Sequence, residues 1–125
     1  MRILVCEDQD AIRKMIETLV AASGHEVVAV AAGAPAVERA LTERFDVLLL
    51  DLMLPGTIDG FEVCRRLRAE PSTRELRIVV LSAQDDPETR RRAVEAGATS
   101  FHAKPFHAVQ LLREIDGLAD VGQPS

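Results

Sequence analysis

Residues 45–60 read FDVLLLDLMLPGTIDG, and the change of character at Asp51 is the key to the rest of the chain. Val47, Leu48, Leu49 and Leu50 form an uninterrupted apolar run of strand length, the pattern of a strand buried on both faces. Pro55-Gly56-Thr57-Ile58-Asp59-Gly60 is rich in turn formers. A helix then begins with Phe61, Cys64 and Leu67 on its inner side. Apolar run, polar stop, turn and amphipathic helix together make one βα unit.

The same unit can be read on either side. Ile3-Leu4-Val5-Cys6 is a first strand, stopped by Glu7 and Asp8. Asp10 is placed to cap a helix that sets Ile12, Met15, Ile16, Leu19 and Val20 on one face, with Gly24 at its end. Val27–Val30 is a second strand, and Pro35 suits the first turn of a helix bearing Val37, Ala40 and Leu41. Ile78–Leu81 is a fourth strand ending at Ser82. A helix opens at Pro87, runs through Glu95 and stops at Gly97. Ser100–Ala103 is a weak fifth strand ending at Lys104-Pro105, and Val109, Leu111, Leu112 and Ile115 pattern a last helix. Strands alternating with helices imply an α/β domain: a doubly wound, five-stranded parallel sheet covered on both faces. Gly117, Gly122 and Pro124 discourage helix in GLADVGQPS, so the domain is set at residues 1–118, with 119–125 a tail or the start of a linker.

Composition narrows the class. The 125 residues suffice for one domain, and 47% hydrophobic with 28% charged residues is ordinary globular usage. The net charge of −5 argues against direct nucleic-acid or acidic-membrane binding. Residues 1–62 hold five basic and eleven acidic groups, net −6, while residues 63–125 are close to neutral. No apolar run reaches the roughly 20 residues of a bilayer crossing, and the acids of MRILVCED break up any signal-peptide core. Cys6 and Cys64 make no CxxC pair, which suits a reducing compartment, and the expectation is a cytoplasmic domain.

The chemistry collects at strand ends. Glu7 and Asp8, Asp51, Ser82 and Lys104 each follow or end an apolar run, and parallel strands deliver those ends to one edge. Three carboxylates crowded there call for a cation, and hard oxygen donors favour Mg2+. A lysine opposite them would neutralise an arriving anion, and a serine hydroxyl would add a hydrogen bond. Together these groups describe a phosphoryl-transfer site, with Asp51 as the candidate nucleophile.

With ILVCED, VLLLDLMLPGTIDGFEVCRRLR, IVVLSAQ and AGATSFHAKPF in that order, the chain resembles the receiver domain of two-component response regulators, of CheY-like, flavodoxin-like (βα)5 fold. The resemblance covers residues 2 to about 116 and implies the strand order 2-1-3-4-5. It implies that Asp51 accepts a phosphoryl group from a phosphohistidine on a histidine kinase or histidine phosphotransfer protein. Asp8, Asp51 and the Met53 carbonyl would ligate Mg2+, and Glu7 would act through a coordinated water. Lys104 would pair with Asp51 and later with the phosphoryl group. Ser82 would bond a phosphoryl oxygen and Phe101 would rotate inward, altering the face of helix 4, strand 5 and helix 5 that binds an effector or output domain. The Lys104-Pro105 peptide is expected to be cis. The implied state is a monomer or a weak phosphorylation-dependent dimer.

Some positions depart from the commonest family pattern. Glu7 stands where Asp is more usual, Ser82 replaces Thr, and the Pro55–Gly60 loop is one residue longer than the frequent PGMDG form. Thr99-Ser100 stands where OmpR-type receivers often carry an acidic pair. Met53 and Gln84 flank the site where such domains tune hydrolysis. Read singly, His25, His102 and His107 are surface or packing residues, Cys6 is a small core side chain, and Phe45, Phe61 and Phe106 belong to the core. Arg90-Arg91-Arg92 is a solvated helix face, with partner binding as the other reading.

The same residues bear on other functions. A Mg2+-dependent aspartyl-phosphate phosphatase needs an acid two residues past the nucleophile, where Met53 stands. A flavodoxin-type nucleotide or flavin module is opposed by Glu7-Asp8-Gln9-Asp10, which would repel a phosphate, and by the lack of any GxGxxG after a strand. A receiver regulated without phosphorylation is the remaining alternative. On the leading reading the domain captures and hydrolyses its own phosphoryl group and is not an enzyme acting on an external substrate.

Overall fold

The computed structural model describes residues 1–122, and the side chains of residues 1–117. Five βα units follow one another: β1 (Arg2–Cys6), α1 (Asp10–Ala22), β2 (Glu26–Val30), α2 (Gly33–Thr42), β3 (Val47–Asp51), α3 (Gly60–Ala69), β4 (Arg77–Ser82), α4 (Pro87–Ala96), β5 (Ser100–Ala103) and α5 (Ala108–Gly122). All strands are parallel, in the order β2-β1-β3-β4-β5.

Side-chain alternation along the strands divides the core into two layers. Leu4, Leu48, Leu50, Ile78 and Val80 face one side and pack on Ala36, Val37 and Ala40 of α2, Phe61, Cys64 and Leu67 of α3, and Ala93 of α4. Ile3, Val5, Val47, Leu49, Val79 and Leu81 face the other, against Ile16 and Val20 of α1 and Leu111 and Ile115 of α5. The central strands are buried on both faces, which is why Val47–Leu50 has no polar alternation.

The structure corrects several details. Gln9, not Asp10, precedes α1, and its side chain makes no capping bond; Asp10 lies in the first turn and pairs with Arg13. Met15 and Val109 are not core residues, being 47% and 62% exposed, and Leu41 is also exposed. Helix α5 continues through Gly117 to Gly122, past the expected boundary at 118. One glycine in a helix costs about 1 kcal/mol, too little to end a helix already anchored by Leu111 and Ile115. Residues 123–125 of the expected tail lie outside the described residues.

Candidate functional site

The strand order reverses at β1: the chain moves outward from β1 to β2, then returns to place β3 on the other side of β1. The crevice at the carboxyl ends of β1 and β3 is therefore the switch point where open α/β sheets bind ligands. Glu7 and Asp8 follow β1, and Asp51 ends β3. Their carboxylate oxygens lie within 4.8 Å of one another. Glu7 and Asp51 are 1% and 5% exposed, so solvent does little to separate the charges.

Local structure fixes each acid. The Met53 N–H donates to Asp51 Oδ1 at 3.0 Å, and the Gln9 N–H donates to Glu7 Oε2 at 3.1 Å. Helix α3, capped by Asp59, starts directly against the Asp51 backbone. A β-carbon at Gly60 would come within 2.5 Å of Leu52 Cα and 2.6 Å of the Asp51 carbonyl oxygen, so only glycine allows this approach. The Gly60 N–H donates to the Leu52 carbonyl at 3.0 Å.

Lys104 enters from the end of β5. Its N–H donates to the Ser82 carbonyl at 2.7 Å, and its peptide to Pro105 is cis. The ammonium donates to Glu7 and, at 3.3 Å, to Asp51 Oδ2. Burial disfavours the charged amine, but the Glu7 hydrogen bond and the charges of Asp51 and Glu7 outweigh it and hold Lys104 above the ordinary lysine range. One ammonium facing three carboxylates leaves net negative charge in a crevice of oxygen donors. That donor set fits a hard divalent cation such as Mg2+.

A cleft of about 600 Å³ opens over these groups, lined by Asp8, Asp51, Met53, Ala83, Lys104 and, among others, Ile12. Met53 is 50% exposed at its edge. The cleft thus brings two carboxylates and an ammonium together with apolar side chains.

Ser82 and Phe101 sit outside the carboxylate cluster. The Ser82 hydroxyl is buried and accepts a hydrogen bond from the Gln84 N–H at 3.1 Å. Phe101 pairs in register with Val80 and packs on the α4 side of the sheet. The guanidinium of Arg90 lies 4.5 Å from its ring centre and bonds Asp85 of the β4–α4 loop. Arg92 lies over Phe61 at 4.1 Å and Arg91 pairs with Glu88 and Glu95, so the three consecutive arginines form an exposed helix face from which two also cover aromatic rings. His25 and His102 bond Asp116 and Glu114 of α5, respectively.

Three features were not read from the sequence. Glu7 is a direct partner of Lys104, Arg13 bonds the β1–α1 loop, and Arg90 covers Phe101. The last had a faint signal, an arginine run just before a strand with an aromatic. A long side chain returning to backbone carbonyls, as Arg13 does, leaves no periodic mark.

Residues 3–116 match the family model described as the response regulator receiver domain. The response regulator PleD of Caulobacter vibrioides is 37% identical over 117 residues, covering 94% of this chain and 26% of the relative. The phosphate regulon transcriptional regulatory protein PhoB of Rhizobium meliloti is 36% identical over 124 residues, 98% of this chain and 54% of the relative. The chain therefore spans a quarter to a half of the length of these relatives. Among solved structures, chemotaxis protein CheY4 of Vibrio cholerae superposes with a TM-score of 0.87 at 29% identity, over 94% of this chain and 97% of that one. The receiver domain of a sensor histidine kinase from Pseudomonas aeruginosa PAO1, with a magnesium ion coordinated in its active site cleft, has a TM-score of 0.87 at 32% identity, covering 94% and 95%.

Proposed function

The chain belongs to the response regulator receiver domain family, and from that membership we propose that it is a phosphoacceptor switch of a two-component system, with Asp51 as the acceptor. One observation supports this above the others. Asp51 is a buried carboxylate whose two oxygens are held separately, Oδ1 by the Met53 N–H and Oδ2 by the Lys104 ammonium. A nucleophile held at both oxygens, at the base of an open cleft, is oriented before the donor arrives.

Asp8, Asp51 and the Met53 carbonyl are the proposed ligands of Mg2+, with Glu7 acting through water. When bound, the ion would neutralise the crowded carboxylates and withdraw charge from phosphoryl oxygens. An Asp51 oxygen attacks phosphorus, the bond from phosphorus to the donor's imidazole nitrogen breaks, and that nitrogen keeps the electron pair and takes up a proton. Lys104 then turns from the Asp51 carboxylate to the new phosphoryl oxygens, and Ser82 donates to another. The apolar rim, with Ile12 and Met53, excludes water as the donor docks.

The donor is a histidine kinase or histidine phosphotransfer protein. The response is read on the α4–β5–α5 face through Ser82 and Phe101, by an effector or output domain, and the acyl phosphate is lost by self-catalysed hydrolysis. The domain, set at residues 1–118 on sequence and extended to Gly122 by α5, is a cytoplasmic unit that is monomeric or dimerises weakly when phosphorylated. No helix among the described residues is long and apolar enough to cross a membrane. Intact mass after incubation with acetyl phosphate tests the reading. A single phosphoryl adduct that requires both Mg2+ and Asp51 is expected. No adduct with acetyl phosphate, together with no spectral response to beryllofluoride, overturns it.

A further inference from the structure

The loop carrying two of the three acids is held in an unusual way. Only residues 7–9 separate β1 from α1, and Gln9 gives the helix no side-chain cap. Arg13, one turn into α1, reaches back instead. One of its guanidinium nitrogens donates to the Glu7 carbonyl at 3.0 Å and lies 3.4 Å from the Asp8 carbonyl, while another donates to Asp10 Oδ1 at 2.5 Å. The side chain is 23% exposed, so most of it lies against the protein.

We propose that Arg13 is a positioning residue for cation binding: by holding the main-chain oxygens of Glu7 and Asp8 it fixes the loop so that both carboxylates converge on Asp51. The inference rests on the reading of Glu7, Asp8 and Asp51 as the cation site. Two effects of Arg13 oppose each other there. Its positive charge beside three acids weakens cation binding, whereas the fixed loop strengthens it. The geometry favours position over charge, because its bonds to Glu7 and Asp8 are to carbonyls and its charge is already paired with Asp10. Only the planar fork of arginine can meet these acceptors together; a lysine ammonium is a point charge on a flexible stem.

The experiment is titration of the metal-free protein with Mg2+ by calorimetry, repeated with Mn2+ by electron paramagnetic resonance, on wild type, Arg13→Gln and Arg13→Lys. Groups that orient ligands from outside typically contribute 10–100-fold to metal affinity, and Arg13→Gln is expected to weaken binding about tenfold although it removes a positive charge. Arg13→Lys keeps the charge and is expected to weaken binding several-fold, with its metal-free melting temperature near that of wild type. Binding by Arg13→Gln as tight as wild type or tighter overturns the proposal, since charge alone predicts that sign. Wild-type affinity in a folded Arg13→Lys overturns it as well. Asp8→Asn and Asp51→Asn are run beside them. If neither weakens Mg2+ binding, the cluster is not the cation site, and that reading fails along with the role given to Arg13.

Discussion

Replacing Asp51 by Asn should stabilise the metal-free protein. Asp51 has two carboxylates within 4.8 Å and one ammonium at 3.3 Å. With the effective dielectric of about 20 that suits protein sites, each repulsion is worth ~3.5 kcal/mol and the attraction ~5 kcal/mol. Neutralising Asp51 therefore removes more repulsion than attraction, leaving a net gain of ~2 kcal/mol. Asparagine keeps an oxygen for the Met53 N–H, so the backbone bond survives. For a chain of this length that gain corresponds to a melting temperature higher by about 8 °C. The assay is thermal unfolding by circular dichroism in a chelator at low salt, then again in Mg2+. Mg2+ at a hundred times its dissociation constant adds about 2.7 kcal/mol to the protein that binds it, so wild type should overtake the variant in Mg2+. Lys104→Met controls the sign: it removes only attraction and should cost about 3–5 kcal/mol. An Asp51→Asn protein that melts no higher than wild type in chelator refutes the charge-crowding argument.

Arg68 donates to the carbonyls of Gly97, Thr73, Arg74 and Leu76 and so ties the end of α3 to the loops before β4 and β5; Arg68→Met should lose about 3 kcal/mol in urea unfolding, and a loss below about 1 kcal/mol would show those bonds to be worth little. Arg90→Ala should cost only about 0.5–1 kcal/mol, because the cation–π contact is near the surface, yet it should shift the Phe101 ring resonances in NMR; unchanged shifts would mean that Arg90 does not hold the ring. Burial pushes the thiols of Cys6 and Cys64 up to about 12 and about 11, from an ordinary value of 9.0. The unfolded chain therefore releases these protons first. Stability should fall above pH 9 by about 1.4 kcal/mol per thiol per pH unit, levelling near those raised values, and replacing both cysteines by Ala should flatten the alkaline limb measured by urea unfolding.

The parts of the fold legible in the sequence were those that rest on hydrophobic period. Val47–Leu50 is buried on both faces because β3 lies between β1 and β4, and that burial leaves a continuous apolar run. The acids were legible as a set because parallel strands bring their carboxyl ends together wherever each strand lies. The order of the strands is a different matter: a right-handed crossover can join neighbours on either side, so the order came from the family resemblance alone. Asp10 was misread for a local reason. Its type suits a cap, but the helix begins one residue earlier, after Gln9, and leaves Asp10 in the first turn, where an acid also suits the helix dipole and pairs with Arg13. Met15, at a core-like spacing, is instead 47% exposed and lines the cleft beside Ile12, while Ile16 and Val20 of the same helix join the core.

Crowding at the site and packing beneath it are linked. The carboxylates of Glu7 and Asp51 are buried beside one another at a cost in repulsion, and the strands that carry them are held by apolar layers on both faces. Loops alone would relax and let the acids separate. Here Asp51 ends a strand whose residues are all buried, Gly60 seats α3 against its backbone, and Arg13 ties down the opposite loop. Movement therefore does little to relieve the repulsion, and countercharge relieves it directly. Lys104 supplies one charge and is held protonated by the same carboxylates. The remaining deficit is what a divalent cation would neutralise, and it would tie cation binding to the rigidity of the β1–β3 edge.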